Sequence, residues 1–282
     1  MKFSYFEQQS FWHFFNPWVA SANLWSHREL IHQFSSREVT GRYRGSFLGL
    51  FWSFVQPLVM LLTYTFIFGV IFKARWPGHA SASLVEFATV LFCGMTAFGV
   101  FSECANRAPS LIVSNPNYVK KVVFPLEILP VSVLLGALFQ GLVGLLMVVI
   151  LNLAVNHVVH ITLLFLPLVA LPLCFFTLGA SWVLASLGVF FRDLPHIMPL
   201  VTTVLFFLTP IFFSAEMVPP PYSTVMHFNP FSFIVESFRR VVLWGTMPNW
   251  TILGAGTLAC AVFMFLGYAF FMRTKKGFAD VV

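Results

Sequence analysis

Read for its pattern of apolar and polar positions, the chain divides into six long apolar runs separated by short polar collars. The runs cover residues 46–72, 84–106, 124–151, 161–191, 196–213 and 250–272. A helix needs about 20 apolar residues to cross the hydrocarbon core of a bilayer. Each run meets or approaches that length. The fourth contains Pro167, Pro172 and Gly179, so a kink is expected in it. The fifth is the shortest and carries Pro199 and Pro210, which makes it the least regular span. The pattern predicts an all-α polytopic membrane protein with six transmembrane helices.

Composition supports lipid as the main solvent. Only 9% of residues are charged and 59% are hydrophobic, with a mean hydropathy of +0.85. A water-soluble domain of this size could not cover its surface with so little charge. The positions of the charges then set an orientation. With the N-terminus in the cytoplasm, twelve of the sixteen Lys and Arg residues fall on the inner side, among them Arg28, Arg37, Arg42, Arg44, Arg107, Lys120, Lys121 and Arg192. Lys73, Arg75, Arg239 and Arg240 fall outside. This bias predicts that both termini are cytoplasmic. The expected division is a cytoplasmic N-terminal segment 1–45, a transmembrane domain 46–272 and a cytoplasmic tail 273–282. The net charge of +6 reflects the asymmetry. No basic stripe with interleaved aromatics points to nucleic acid. The first 45 residues lack a continuous apolar core after a basic start, so no cleavable signal peptide is expected.

Three segments do not span. Ser26-His27-Arg28-Glu29 fits a capping box, and Gly41 could close the helix that follows. Leu30, Ile31 and Phe34 would form an apolar stripe, with Arg28, His32 and Arg37 facing elsewhere, as in an amphipathic helix lying at the membrane interface. Gly41, Gly45 and Gly49 recur every four residues, a spacing that permits close helix approach. The second segment begins at Arg107. Pro109 could start a short helix and Asn115-Pro116 break it, with apolar Leu111, Ile112 and Val113 bracketed by Arg107 and Lys120-Lys121. It reads either as a docking element for a soluble partner or as a plain interfacial turn. The third covers 214–249. Asn229-Pro230 makes a helix start and Gly245 a stop. Phe231, Ile234, Val235, Phe238 and Val242 share one face, and Ser232, Glu236, Arg239 and Arg240 the other. At about 15 residues this helix is too short and too charged to cross. It suggests a re-entrant helical hairpin between the fifth and sixth spans, with Glu236 paired to Arg239 or Arg240.

Catalytic and metal-binding signals are absent from the sequence. There is no HExxH, GxSxG or GxxxxGK[ST] motif. The four cysteines all lie in apolar spans at no metal-binding spacing. Arg192-Asp193 marks a tight inner turn, where helix capping and an ion pair are expected. Glu86, Glu103 and Glu127 lie near span ends, where water can reach them. No midplane carboxylate or histidine relay suggests a proton-driven carrier, and no internal repeat suggests a secondary transporter. No catalytic, cofactor-binding or metal-binding residue is predicted. A conduit driven by energy from elsewhere fits better than an enzyme.

Several segments resemble the membrane subunits of type-2 ABC exporters for lipid-linked polysaccharides such as O-antigen, capsule and teichoic acid. They are Arg42-Tyr43-Arg44-Gly45-Ser46 with Trp52 and Pro57, and Asn115-Pro116-Asn117-Tyr118-Val119-Lys120-Lys121 followed by Phe124-Pro125-Leu126-Glu127. Phe191-Arg192-Asp193-Leu194, Thr209-Pro210-Ile211, Asn229-Pro230-Phe231 and the tail Gly277-Phe278-Ala279-Asp280-Val281 continue the likeness. The resemblance implies a homodimer of six-helix subunits in the bacterial inner membrane, joined to two copies of a separate ATPase that binds ATP and Mg. It implies that Arg107, Leu111, Ile112, Asn115, Tyr118, Lys120 and Lys121 receive the ATPase stroke. It also implies that the hairpin 215–245, with Asn229, Pro230, Glu236, Arg239 and Arg240, forms an outer gate. The Asn-Pro-Asn-Tyr-Val-Lys-Lys loop most resembles O-antigen exporters, with capsule and teichoic acid export as alternatives. A small-molecule efflux permease would share the six spans but lack this loop.

Overall fold

The computed structural model describes residues 17–45, 47–73, 76, 83–120, 124–220 and 222–281. Among the described residues the chain is helical, with no strand. Ahead of the spans the described residues form α1 (Pro17–Ser26) and α2 (Arg28–Tyr43). The first span is α3 (Trp52–Tyr64), continued by π-helical turns over Thr65–Ile71. Then come α4 (Leu84–Leu111), the short α5 (Pro116–Val119) and α6 (Ile128–Asn156). A 3₁₀ turn, Ile161–Phe165, leads into α7 (Leu166–Phe190), and α8 (Leu194–Leu208) follows. The hairpin is α9 (Ser223–Phe228) and α10 (Pro230–Val242), and the last span is α11 (Trp250–Thr274), with α12 (Phe278–Val281) at the tail. Among the described residues five helices are long and apolar enough to cross a membrane, and α8 is a shorter apolar helix.

The central pillar is α4, with 67% of its most apolar window buried, against 11% for the first span. Its start is a capping box: the Ser83 hydroxyl accepts from the Glu86 backbone N–H, and the Glu86 carboxylate accepts from the Ser83 N–H at 2.9 Å. At 28 residues it is about 42 Å long and extends well beyond an apolar core of about 30 Å. Its last turns carry the polar Glu103, Asn106 and Arg107. Helices α7 and α11 pack closely where Gly179 and Gly267 face each other. A β-carbon on Gly179 would lie 2.8 Å from the Met264 Cα, so only small residues allow this approach. The first span touches the rest mainly through an aromatic cluster in which Phe68 stacks on Phe212 at 4.5 Å between centroids.

Several local expectations change. Ser26 does not form a capping box; its hydroxyl donates to the Asn23 carbonyl, and His27 stands at the start of α2 without a side-chain cap bond. The helix passes through Gly41 to Tyr43. Gly45 and Gly49 have φ of +86° and +51°, conformations that glycine adopts without a steric penalty. The four-residue glycine spacing therefore serves a turn and not a helix contact. Pro109 lies inside α4 and does not begin a new helix. Leu30, Ile31 and Phe34 are half-buried while Arg28, His32 and Arg37 are exposed, as the amphipathic reading of α2 expects.

Candidate functional site

At one end of the bundle, α10 and the residue before it bond to the segment in which α8 ends. Fifteen residues of α8 rise only about 22 Å. The chain then breaks at Thr209-Pro210-Ile211, and all three residues are buried. Buried carbonyls at such a break need donors, since lipid supplies none. The hairpin provides them. Asn229 donates its amide to the Leu208 carbonyl and the Thr209 hydroxyl, while its oxygen accepts from the Phe231 N–H at 2.9 Å to start α10. Arg239 donates to the carbonyls of Pro210 (2.7 Å), Ile211 (2.8 Å) and Val90 (3.2 Å). Pro230 occupies the first turn of α10, where the missing N–H has no intrahelical use.

This placement corrects the polar face expected for α10. Phe231, Ile234, Val235, Phe238 and Val242 are buried as expected, but Arg239 is buried with them at 1% exposure. Its guanidinium carbon lies 4.3 Å from the centroid of the Trp76 ring, a cation–π contact. Gly94 of α4 admits it, since a β-carbon there would sit 3.0 Å from the Arg239 Nη2. Glu236 pairs with Arg240 at 3.4 Å, and both are partly exposed. The α10 helix thus carries one structural cation and one surface ion pair.

At the opposite end, α2 is fastened to α4 by charge. Arg42 bonds both oxygens of Glu103, Arg107 donates to Glu38 at 2.6 Å, and Arg107 also faces Glu103 at 3.6 Å. These groups line the mouth of a cavity of about 1130 Å³ between α2, α3, α4 and α6. Its inner wall turns apolar at Met60, Phe92 and Met95, with Thr96 and Gln140 among them.

The segment expected to meet a soluble partner divides in two. Leu111 and Ile112 are buried at 7% and 0% exposure, so they pack inside the protein and offer no docking face. The reason is the unforeseen length of α4, which carries Leu111 in its last turn. Val113, Asn117 and Lys120 are exposed. Asn115 donates its amide to the Leu111 carbonyl, and Pro116 opens α5. Tyr118 stacks on Phe124 at 4.5 Å, and Phe34 of α2 packs against both at 5.5 Å. Lys121 lies outside the described residues. Arg192 and Asp193 are exposed; Asp193 precedes α8 without a side-chain cap bond, and neither makes an ion pair among the described residues. The expected capping and pairing roles are therefore absent there.

Glu127 is a further departure. Expected at a wet span end, it is 3% exposed. Its carboxylate accepts from Asn23 of α1 at 2.8 Å and from Lys275 at 2.7 Å, and its carbonyl accepts from the Trp182 indole. Asn23 also donates to the Tyr268 hydroxyl. One buried carboxylate thereby ties both ends of the chain to the bundle. Nothing in the local sequence pairs Asn23 with Glu127, 104 positions away.

The comparisons with known proteins decide the family. Residues 29–243 match the family model of the ABC-2 type transporter. The chain belongs to this family. It is 27% identical over 261 residues to an O-antigen export system permease protein of Myxococcus xanthus, covering 92% of this chain and 97% of that protein. An O-antigen export system permease protein of Klebsiella pneumoniae is 24% identical, with 90% and 95% covered. A polysialic acid transport protein of Escherichia coli is 26% identical, with 85% and 91% covered. All three are transport proteins. As an ABC-2 family member this chain is a membrane transport component and not an enzyme.

Proposed function

We propose that the chain is the transmembrane subunit of an ATP-driven exporter that moves a lipid-linked polysaccharide, in the first place O-antigen, across the bacterial inner membrane. The observation that carries this is similarity along nearly the whole length to two O-antigen export permeases. In this reading both termini and the α2–α4 charge network face the cytoplasm, as the basic bias predicts, and the hairpin faces outward. Two copies of the chain join two copies of a soluble ATPase, which holds ATP and Mg. The small buried share of the first span and the exposed faces of α8 suit burial against a second copy. The exposed Val113, Asn117 and Lys120 suit the ATPase contact, backed by Arg107, Asn115 and Tyr118. The hairpin, with Glu236 and Arg240 on its surface, acts as the outer gate.

Capsule export is the second reading, favoured by the similarity to the polysialic acid transporter. A clean deletion in the native host separates the two. Loss of the O-antigen ladder from lipopolysaccharide, restored by the wild-type chain, supports the first reading. Loss of capsule with an intact ladder supports the second, and loss of neither removes both.

A further inference from the structure

A second cavity, of about 640 Å³, opens at the hairpin end among the start of α4, the end of α6 and the segment after α10. Its volume falls within the range of about 300–1,000 Å³ typical of small-ligand sites. Two indoles contribute to its walls. Trp76 is buried with Arg239 over its ring, and Trp244 is half-buried. Polar groups share the lining, among them Glu86, Asn152, Asn156, His160, Arg240 and Thr246.

Three of these groups are held by neighbours while keeping polar atoms to spare. Glu86 accepts from the Ser83 N–H through one carboxylate oxygen, Arg240 donates its Nε to Glu236, and Asn156 donates its amide to Asn152. Among the described residues, the second Glu86 oxygen, the Arg240 terminal nitrogens and the Asn156 carbonyl take no further partner. Among the described residues of the lining, Glu86 is the carboxylate and Arg240 the guanidinium, and Arg240 is already paired with Glu236, so the lining holds no excess positive charge. A phosphate headgroup would call for excess positive charge, and a purely apolar ligand would strand the polar groups unpaired. A neutral molecule with apolar faces and many hydroxyls meets both demands. A sugar ring lays its C–H face on an indole and presents adjacent hydroxyls to carboxylate, amide and guanidinium.

We propose that this cavity binds a short, neutral oligosaccharide segment. The inference rests on the exporter reading only in placing the cavity at the outer face, where an emerging glycan would meet it.

The test titrates the purified full-length chain, in nanodiscs and without any ATPase, with neutral trisaccharides of glucose, mannose and N-acetylglucosamine. Tryptophan fluorescence and calorimetry report binding, and glycerol 3-phosphate is titrated in parallel. Saturable binding of at least one trisaccharide is expected, weakened tenfold or more by Trp244→Ala and by Asn156→Ala, with glycerol 3-phosphate silent. Trp244→Phe keeps an aromatic face and should retain an intermediate affinity, which preserves the test if Trp244→Ala fails to fold. Absence of saturable binding by all three sugars, binding indifferent to these variants, or binding of glycerol 3-phosphate alone overturns the proposal. Host complementation reads the exporter assignment separately. A chain that restores surface glycan but shows no Trp244-dependent binding loses the site and keeps the function. One that binds sugar through Trp244 without restoring glycan does the reverse.

Discussion

Arg239 sits in the protein interior without an ion-paired carboxylate among the described residues, and its guanidinium is spent on three backbone carbonyls. Arginine keeps its charge under such conditions and offers donors in a planar fork. Removing it strands the carbonyls at the α8 break, each at a cost of about 1–3 kcal/mol. Arg239→Met should therefore destabilise the protein by at least ~3 kcal/mol, seen as earlier thermal unfolding in detergent. Arg239→Lys should recover only part, because an ammonium cannot span the same carbonyls. A Met variant that melts like wild type would remove the stapling role. Glu236→Lys makes the contrast. It breaks an exposed pair worth about 0–1 kcal/mol, so folding should be nearly unchanged while a gating role would show as solute leakage. The sequence placed Asn229-Pro230 correctly, because a helix-start signal is local. It misplaced Arg239, because helical periodicity assigns a charge to the wet face and contains no trace of the broken span beside it.

At the scale of elements, the length of α4 decides what the neighbouring turn can do. Pro109 looked like a boundary because proline removes an N–H and crowds the preceding turn. Here the helix runs past it, and Leu111 and Ile112 turn inward. The existence of the spans was legible from hydropathy, since about 20 apolar residues suffice to identify one. Their ends fell up to six residues from the expected positions, as at Trp52 and Leu111. The collars were less legible, because their partners lie far along the chain: Arg42 with Glu103, Arg107 with Glu38, Glu127 with Asn23. The two halves of the turn should respond differently to an added charge. Ile112→Asp buries an unpaired carboxylate and should abolish stable insertion. Val113→Asp changes an exposed position and should insert normally while reducing co-purification with the ATPase. The comparison needs only the yield of folded protein and the ATPase recovered per subunit. Equal recovery with Val113→Asp and wild type would leave α5 and its approach as an interfacial anchor alone.

For the whole molecule, the two ends differ in the kind of polar group they hold. One end carries the Arg42–Glu103–Arg107–Glu38 network and the Glu127–Lys275 pair, with Lys120, Arg192, Arg273 and Lys276 nearby in the same collars. The other holds Asn229, Arg239 and the Glu236–Arg240 pair around an interrupted span. Cytoplasmic loops gather Lys and Arg during insertion, so the first end should face the cytoplasm. Helix order fixes the rest: if the turn at Asn117 is inside, His157 and Met247 must be outside and Lys276 inside. A variant with Cys93, Cys104, Cys174 and Cys260 replaced would take single cysteines at positions 117, 157, 247 and 276. These are chosen because Asn117, His157 and Met247 are exposed and Lys276 lies in the tail. An impermeant thiol reagent on intact cells, with the outer membrane opened, should label 157 and 247 at once, and 117 and 276 only after lysis. Labelling of 117 in intact cells would invert the molecule. The hairpin would then face the cytoplasm, and with it both the outer-gate assignment and the placement of the sugar cavity on the exit side would fall.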